Sequence, residues 1–150
     1  MTVAQVVLLV SGILVLEALI WIPLVVWAKR RCVRLAESIR ESVAASGERF
    51  LIEPEPALFR GSSAHYGAVK GNCVIALTDR NVIFQKLVGG EMTRIPTADI
   101  ADVTQNKWFL LSYRNGREHL ILTLEDGTQV GFMVEDHALW MRMLSGIAPQ

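Results

Sequence analysis

Three histidines, two cysteines and a few serines are the residues of this chain whose types suit catalysis, and their spacing argues against it. The segment GSSAHYG sets Ser62 and Ser63 just ahead of His65. A hydroxyl nucleophile needs a base within hydrogen-bond reach and a third group that orients the base. Strand neighbours alternate faces, and no acid lies close by in the sequence, so this segment does not read as a nucleophilic centre. His119 and His137 stand apart from each other and from His65. Asp79 and Arg80, in TDRN, sit at a tight turn and read as a structural pair. Cys32 and Cys73 are too few for a disulfide framework or a metal site. Cys32 follows an apolar run, where S-acylation occurs in some proteins, but it reads as an unmodified small residue. The chain has no H-E-x-x-H, phosphate loop, dinucleotide fingerprint or nucleophile elbow. The expectation is a protein that is not an enzyme and takes no cofactor or metal.

The most unusual ionisable group is Glu17, alone among the 23 residues Val6–Ala28. At 1.5 Å per residue such a helix covers about 34 Å, enough for a hydrocarbon core of about 30 Å. A mid-span acid costs about 2.5–3.5 kcal/mol on the insertion scale. About fifteen Leu, Ile and Val residues return about 0.3–0.6 each. The aliphatic residues win, and residues 1–28 read as a transmembrane helix. A cleaved signal peptide fits poorly, because no basic residue precedes the run, the run is long, and no small-x-small cleavage site follows. Lys29, Arg30, Arg31 and Arg34 follow it, which places the amino end outside and the rest in the cytoplasm, at the plasma or inner membrane. These four cations are expected to meet anionic lipid headgroups. Trp21 and Trp27 suit the inner interface, and Pro23 is expected to loosen the last turns. Ala4, Ser11 and Ala18 recur every seven residues and line one face where a second helix can approach. With Glu17 they form a candidate face for association with a protein partner or a second copy.

Residues 29–47 read as a basic amphipathic connecting helix. Leu35, Ile39 and Val43 form one apolar stripe, and Gly47 is the stop. Residues 48–56, with Pro54 and Pro56, read as a linker. From residue 57 to 150 the period becomes strand-like, with expected strands at 57–65, 70–77, 81–88, 92–96, 100–113, 118–125 and 128–134. Short turns favour an antiparallel meander. The segment EDHALWMRMLSGI then returns to helical spacing through Ala138, Leu139, Met143 and Leu144, with Trp140 beside them and Glu135 and Asp136 at the start. Residues 48–150 carry ten basic and twelve acidic side chains, a balance that argues against nucleic acid as a partner.

GNCVIALTDRNVIF resembles the strand–turn–strand signature of GRAM domains and bacterial pleckstrin-homology-like (PH-like) domains, through Gly71, Leu77, Thr78, Asp79, Arg80, Ile83 and Phe84. RIPTADIADV resembles the segment that follows in that family, through Ile95, Pro96, Ile100 and Val103. LILTLEDGTQVGF resembles its later hairpin, and Trp140 with Leu144 matches its final helix. The resemblance covers roughly residues 48–147. It implies a mainly-β, partly open barrel of about seven antiparallel strands capped by a C-terminal helix, here behind a single transmembrane α-helix. It further implies a binding or scaffolding module that takes lipid headgroups or a protein. Members that bind phosphoinositides carry several basic residues in the first hairpin, where this chain has Arg60 and Lys70 with His65.

Alternation also assigns registers. Leu120, Leu122 and Leu124 share a face that Val130 and Phe132 join only if Glu125–Gly127 forms a three-residue loop with Gly127 left-handed. In KWFLLSYRNGREHLIL two registers are open. A two-residue Asn115–Gly116 turn sends Phe109 and Leu111 inward, and a three-residue loop sends Trp108 and Leu110 inward. Either way large apolar side chains point outward beside Ile121. Trp108, Phe109, Leu110, Leu111 and Ile121, with Arg114 and Arg117, therefore form a candidate interaction patch.

Overall fold

The computed structural model describes residues 2–147. The expected outer segments therefore end, at Met1 and at residues 148–150, outside the described residues. A single helix, α1 (Val3–Ser46), takes up both the apolar run and the basic segment after it. Thr2 caps its first turn in a box with Gln5, and Gly47 ends it in the left-handed conformation at φ 68°. A helix of 44 residues is about 66 Å long. Its first part is long and apolar enough to cross a membrane, and none of that stretch is buried. The helix runs through Pro23 without a break.

After Gly47 come β1 (Phe50–Ser62), β2 (Gly71–Thr78), β3 (Asn81–Lys86) and β4 (Thr93–Pro96). A 3-10 turn at Thr97–Asp99 leads to β5 (Ile100–Asn106), β6 (Trp108–Phe109), β7 (Ser112–Tyr113), β8 (His119–Leu124) and β9 (Gln129–Met133). The chain closes on α2 (His137–Ser145). Seven strands form one antiparallel sheet in the order β4-β3-β2-β1-β9-β8-β5, and β6 and β7 pair separately.

Three expectations need correction. The segment expected as a linker, 48–56, holds the first half of β1, which pairs with β2 from Phe50 onward. Pro54 falls where a register shift interrupts the ladder, between Ile52 and Glu55, whereas Pro56 pairs in regular register with Val74. The sheet is not a simple meander, because β4 and β5 do not pair and β1 takes both β2 and β9 as neighbours. The 3-10 turn after Pro96 redirects the chain there, held by Thr97 N donating to Arg80 O at 2.8 Å. The expected strand 100–113 stops at Asn106, whose side-chain oxygen accepts from Trp108 N at 3.0 Å and starts a separate hairpin.

The sheet is strongly curled. Phe84 on β3 and Phe132 on β9 are three strand positions apart, a separation of about 14 Å in a flat sheet. Yet their ring centroids lie 5.1 Å apart, and Phe59 stacks on Phe84 at 5.2 Å. The enclosed core is closed at one end by α2, whose Trp140 and Leu144 are fully buried among these strands. Asp136 caps α2 by accepting from Leu139 N at 2.9 Å. Trp140 Nε1 donates to Glu55 Oε1 at 2.7 Å.

A second apolar layer lies outside the sheet. Leu35, Ile39 and Val43 of α1 pack on Val74, Ala76, Ile83 and Leu87. This explains why six consecutive residues of β2, Cys73–Thr78, are buried, a pattern expected only where both sheet faces are covered. Full burial of each aliphatic side chain contributes about 1.5–3 kcal/mol, so three of them make α1 an integral layer of the domain.

Candidate functional site

A buried carboxylate locks the helix to the sheet. Glu48, just past the end of α1, has a side chain only 3% exposed. Its oxygens accept from Ser46 Oγ at 2.8 Å, Thr78 Oγ1 at 2.5 Å and Asn81 Nδ2 at 3.0 Å, and from Arg94 Nη1. Arg94 Nη2 in turn donates to Ser42 Oγ of α1 at 2.7 Å. Burial alone would raise the Glu48 pKa. The bonds from Asn81, Thr78, Ser46 and Arg94 outweigh it and hold the carboxyl at about 2. A charge held this way is strongly ionised at neutral pH. It fixes the direction in which α1 leaves the domain.

Of the four cations expected at headgroups, Lys29, Arg30 and Arg34 are exposed. Arg31 is half-buried, and its Nε donates to Leu87 O at 3.3 Å, so it also ties α1 to the β3–β4 loop. Ala4, Ser11, Glu17 and Ala18 are all exposed along the apolar part of α1. Beside Ala18 lies a shallow depression of about 260 Å³ lined by Val15, Leu19, Ile22 and Pro23.

The patch expected around the hairpin divides in two. Phe109 and Ile121 are buried, whereas Trp108, Leu110 and Leu111 are exposed, Leu111 completely. Arg114 and Arg117 are exposed as well. Phe109 folds back onto the outer face of β9, its ring lying over Gly131. A Cβ on Gly131 would come within 2.3 Å of that ring. Ile121, the cross-strand partner of Gly131, is buried on the same face. The Asn115–Gly116 turn forms, with both residues at positive φ and Arg117 N donating to Arg114 O at 2.9 Å. Leu111 nonetheless points away from the core, because Leu110 and Leu111 are themselves the turn between β6 and β7, at φ 45° and 58°. Two leucines in left-handed positions are locally unfavourable, at about 1–2 kcal/mol each. The turn is held from outside. Arg60 Nη2 donates to Ser112 Oγ, Lys70 Nζ donates to Leu110 O at 3.1 Å, and Trp108 stacks on Tyr113 at 5.0 Å. By contrast, the β8–β9 loop has the expected three residues, with Gly127 at φ 84° and Leu124 N bonded to Thr128 O.

Sequence reading missed two groupings. One is an acid beside His65. Asp126, far along the chain, sits 3.6 Å from His65 Nε2. Both side chains are more than half exposed, and Ser62 Oγ donates instead to Ala64 O. The other grouping is the rim beside α1. Val69 and Val88 are about three-quarters exposed. With Lys70 they face Trp21, Val25 and Ala28 across a groove of about 600 Å³. Nothing in the sequence pairs these loops with the apolar helix. His119, fully buried under Phe109, bonds through Nδ1 to Asn106 O at 3.0 Å, and its Nε2 has no partner among the described residues. Burial, despite that bond, lowers its pKa, as do Arg60, Lys70 and His137. The Cys73 thiol is pushed up to about 12 by burial, and that of Cys32 is raised for the same reason. Neither is a reactive thiolate. Among the described residues no cluster of three or more His, Cys, Asp or Glu could hold a metal ion.

No family model matches the chain. No curated protein matches it either. Among solved structures it is similar to the C-terminal domain of an unknown protein from Leishmania infantum, at 12% identity and a TM-score of 0.51. That match covers 74% of this chain and 95% of the other. At that identity the likeness concerns the fold: a seven-stranded antiparallel sheet with a C-terminal helix.

Proposed function

We propose that this chain is a single-pass membrane protein that presents a PH-like, GRAM-like module at the cytoplasmic face as a non-catalytic binding or scaffolding device. The observation that carries this reading is the double role of α1. Its first part exposes apolar side chains on every side, as a helix in lipid does. Its second part is a buried layer of the β domain. A joint built this way holds the domain at one distance and tilt against the bilayer, which suits a module that meets partners at the inner leaflet. The strand order, the curled sheet and the plugging Trp140 support the PH-like assignment. Lys29, Arg30 and Arg34 are exposed and suit anionic headgroups.

Affinity capture of the intact protein from membranes, with lipids and proteins identified by mass spectrometry, tests the reading. Co-purifying lipid or protein that is lost when residues 48–150 are replaced by an unrelated domain supports it. Turnover of a substrate by purified protein, or digestion of the β domain by protease added outside intact cells, overturns it. A second reading, an accessory subunit whose apolar helix selects its partner, is favoured by the depression beside Ala18. Exchange of residues 3–28 for an unrelated apolar helix separates the two, because only the second reading loses its partner.

A further inference from the structure

We propose that the rim of the β domain, formed by Val69, Val88 and the Leu110–Leu111 turn, inserts into the same leaflet that α1 leaves, so that the protein grips the bilayer at two places. The inference rests on the membrane reading of α1 given above. Its first support is depth. Val69 and Val88 lie beside Trp21, Val25 and Ala28, which belong to the apolar run itself rather than to the basic segment after it. Loops at the height of that run reach the leaflet whenever α1 spans it. The second support is continuity. Val69 and Val88 line the same groove, and Lys70, next to Val69, donates to the carbonyl of Leu110. The three apolar points are thus one connected rim.

The third support is chemistry. Among the described residues, the exposed large apolar side chains of the β domain are Val69, Val88, Trp108, Leu110, Leu111 and Tyr113, all on these rim loops or on the hairpin bonded to them. The segment 107–118 carries Lys107, Arg114 and Arg117 against Glu118 alone, and Lys29, Arg30 and Lys70 are exposed nearby. Apolar tips inside a ring of cations match an anionic interface, with side chains in the acyl boundary and charges among the headgroups. A fully exposed leucine in a left-handed turn breaks two local rules at once, and such breaks concentrate at functional sites.

The test uses the full chain with Cys32→Ser, which leaves only the buried Cys73, and one accessible cysteine introduced as Leu111→Cys, Val88→Cys, Arg80→Cys or Gly12→Cys. Each is labelled with an environment-sensitive nitrobenzoxadiazole and reconstituted in phosphatidylcholine–phosphatidylserine nanodiscs. Leu111 and Val88 are exposed, so their replacement removes no packing. Arg80 lies at the turn whose Asp79 meets Arg49, beyond the far end of α1, and reports water. Gly12 reports the middle of the apolar run. Labels at positions 111 and 88 should be blue-shifted and quenched several-fold more than the label at 80 by lipids carrying nitroxide at a shallow acyl position. Quenching at 111 and 88 no greater than at 80, with 12 strongly quenched, overturns the proposal and leaves the membrane reading intact. A 111 label shielded from lipid but transferring energy to copies of itself overturns it in favour of a second copy. An unquenched label at 12 overturns both.

Discussion

Glu48→Gln is the perturbation with the clearest numerical consequence. The carboxyl stands at about 2 in the fold against an ordinary 4.5. A gap of about 2.5 pH units, at about 1.4 kcal/mol each, is worth about 3 kcal/mol at neutral pH. The side chain is nearly sealed from solvent, so screening removes little of this. The folded pKa is depressed, so the stabilisation is fully present above 4.5 and is lost as pH falls towards 2. At pH 3 about 1 kcal/mol of it remains. The assay is urea unfolding of the full chain in detergent, followed by the circular dichroism of the β domain, for wild type and Glu48→Gln at pH 6 and pH 3. The variant should lose about 3 kcal/mol at pH 6, and the difference should shrink to about 1 kcal/mol at pH 3. Proteolysis at the α1–β1 junction should rise in parallel, because Ser46, Thr78, Asn81 and Arg94 lose their common charged acceptor. A difference that is small at pH 6, or that does not change with pH, would refute the claim that this carboxylate joins helix to sheet.

Three further outcomes are expected. Gly131→Ala should cost about 1–3 kcal/mol by forcing Phe109 off β9. Phe109→Ala should relieve most of that cost in the double variant, which a double-mutant cycle measures. Trp140→Ala should cost about 3–5 kcal/mol, read as a lower urea midpoint, because it opens the end of the core and strands Glu55 without its donor. His119 is held neutral by burial, so stability should decline as pH falls through its ordinary 6.5 towards its lower folded value. His119→Gln should flatten that part of the wild-type pH profile in the same unfolding assay.

Much of the architecture was legible because it rests on local periods. The apolar run, the stripe Leu35–Ile39–Val43, the stop at Gly47 and the cap at Asp136 each depend on residues within one or two turns of each other. The Gly127 loop was readable for a similar reason, since hydrophobic alternation on two adjacent strands admits one register. The hairpin at Trp108–Tyr113 was not. The turn residues Asn115–Gly116 were recognised and do form a turn. The second turn at Leu110–Leu111 carries no local signal, because leucine is disfavoured there and the contacts from Arg60, Lys70 and Gly131, distant in sequence, help hold it in place. Residues 50–56 failed in the same way. Their prolines discourage regular structure locally, and pairing with β2 overrides them.

The sequence by itself determined that an apolar helix with one acid precedes a basic amphipathic segment and a strand-rich domain, since side-chain hydrophobicity and its period are properties of neighbours along the chain. Only the tertiary structure decided that the two helical parts are one rod and that its stripe meets β2 and β3. It also decided that Glu48 is the lock, and that Val69, Val88 and Leu111 share a rim. Apart from the continuity of the rod, these facts depend on contacts between residues 30 or more positions apart, where no local pattern distinguishes one partner from another. They emerge only when the curled sheet brings the partners within reach.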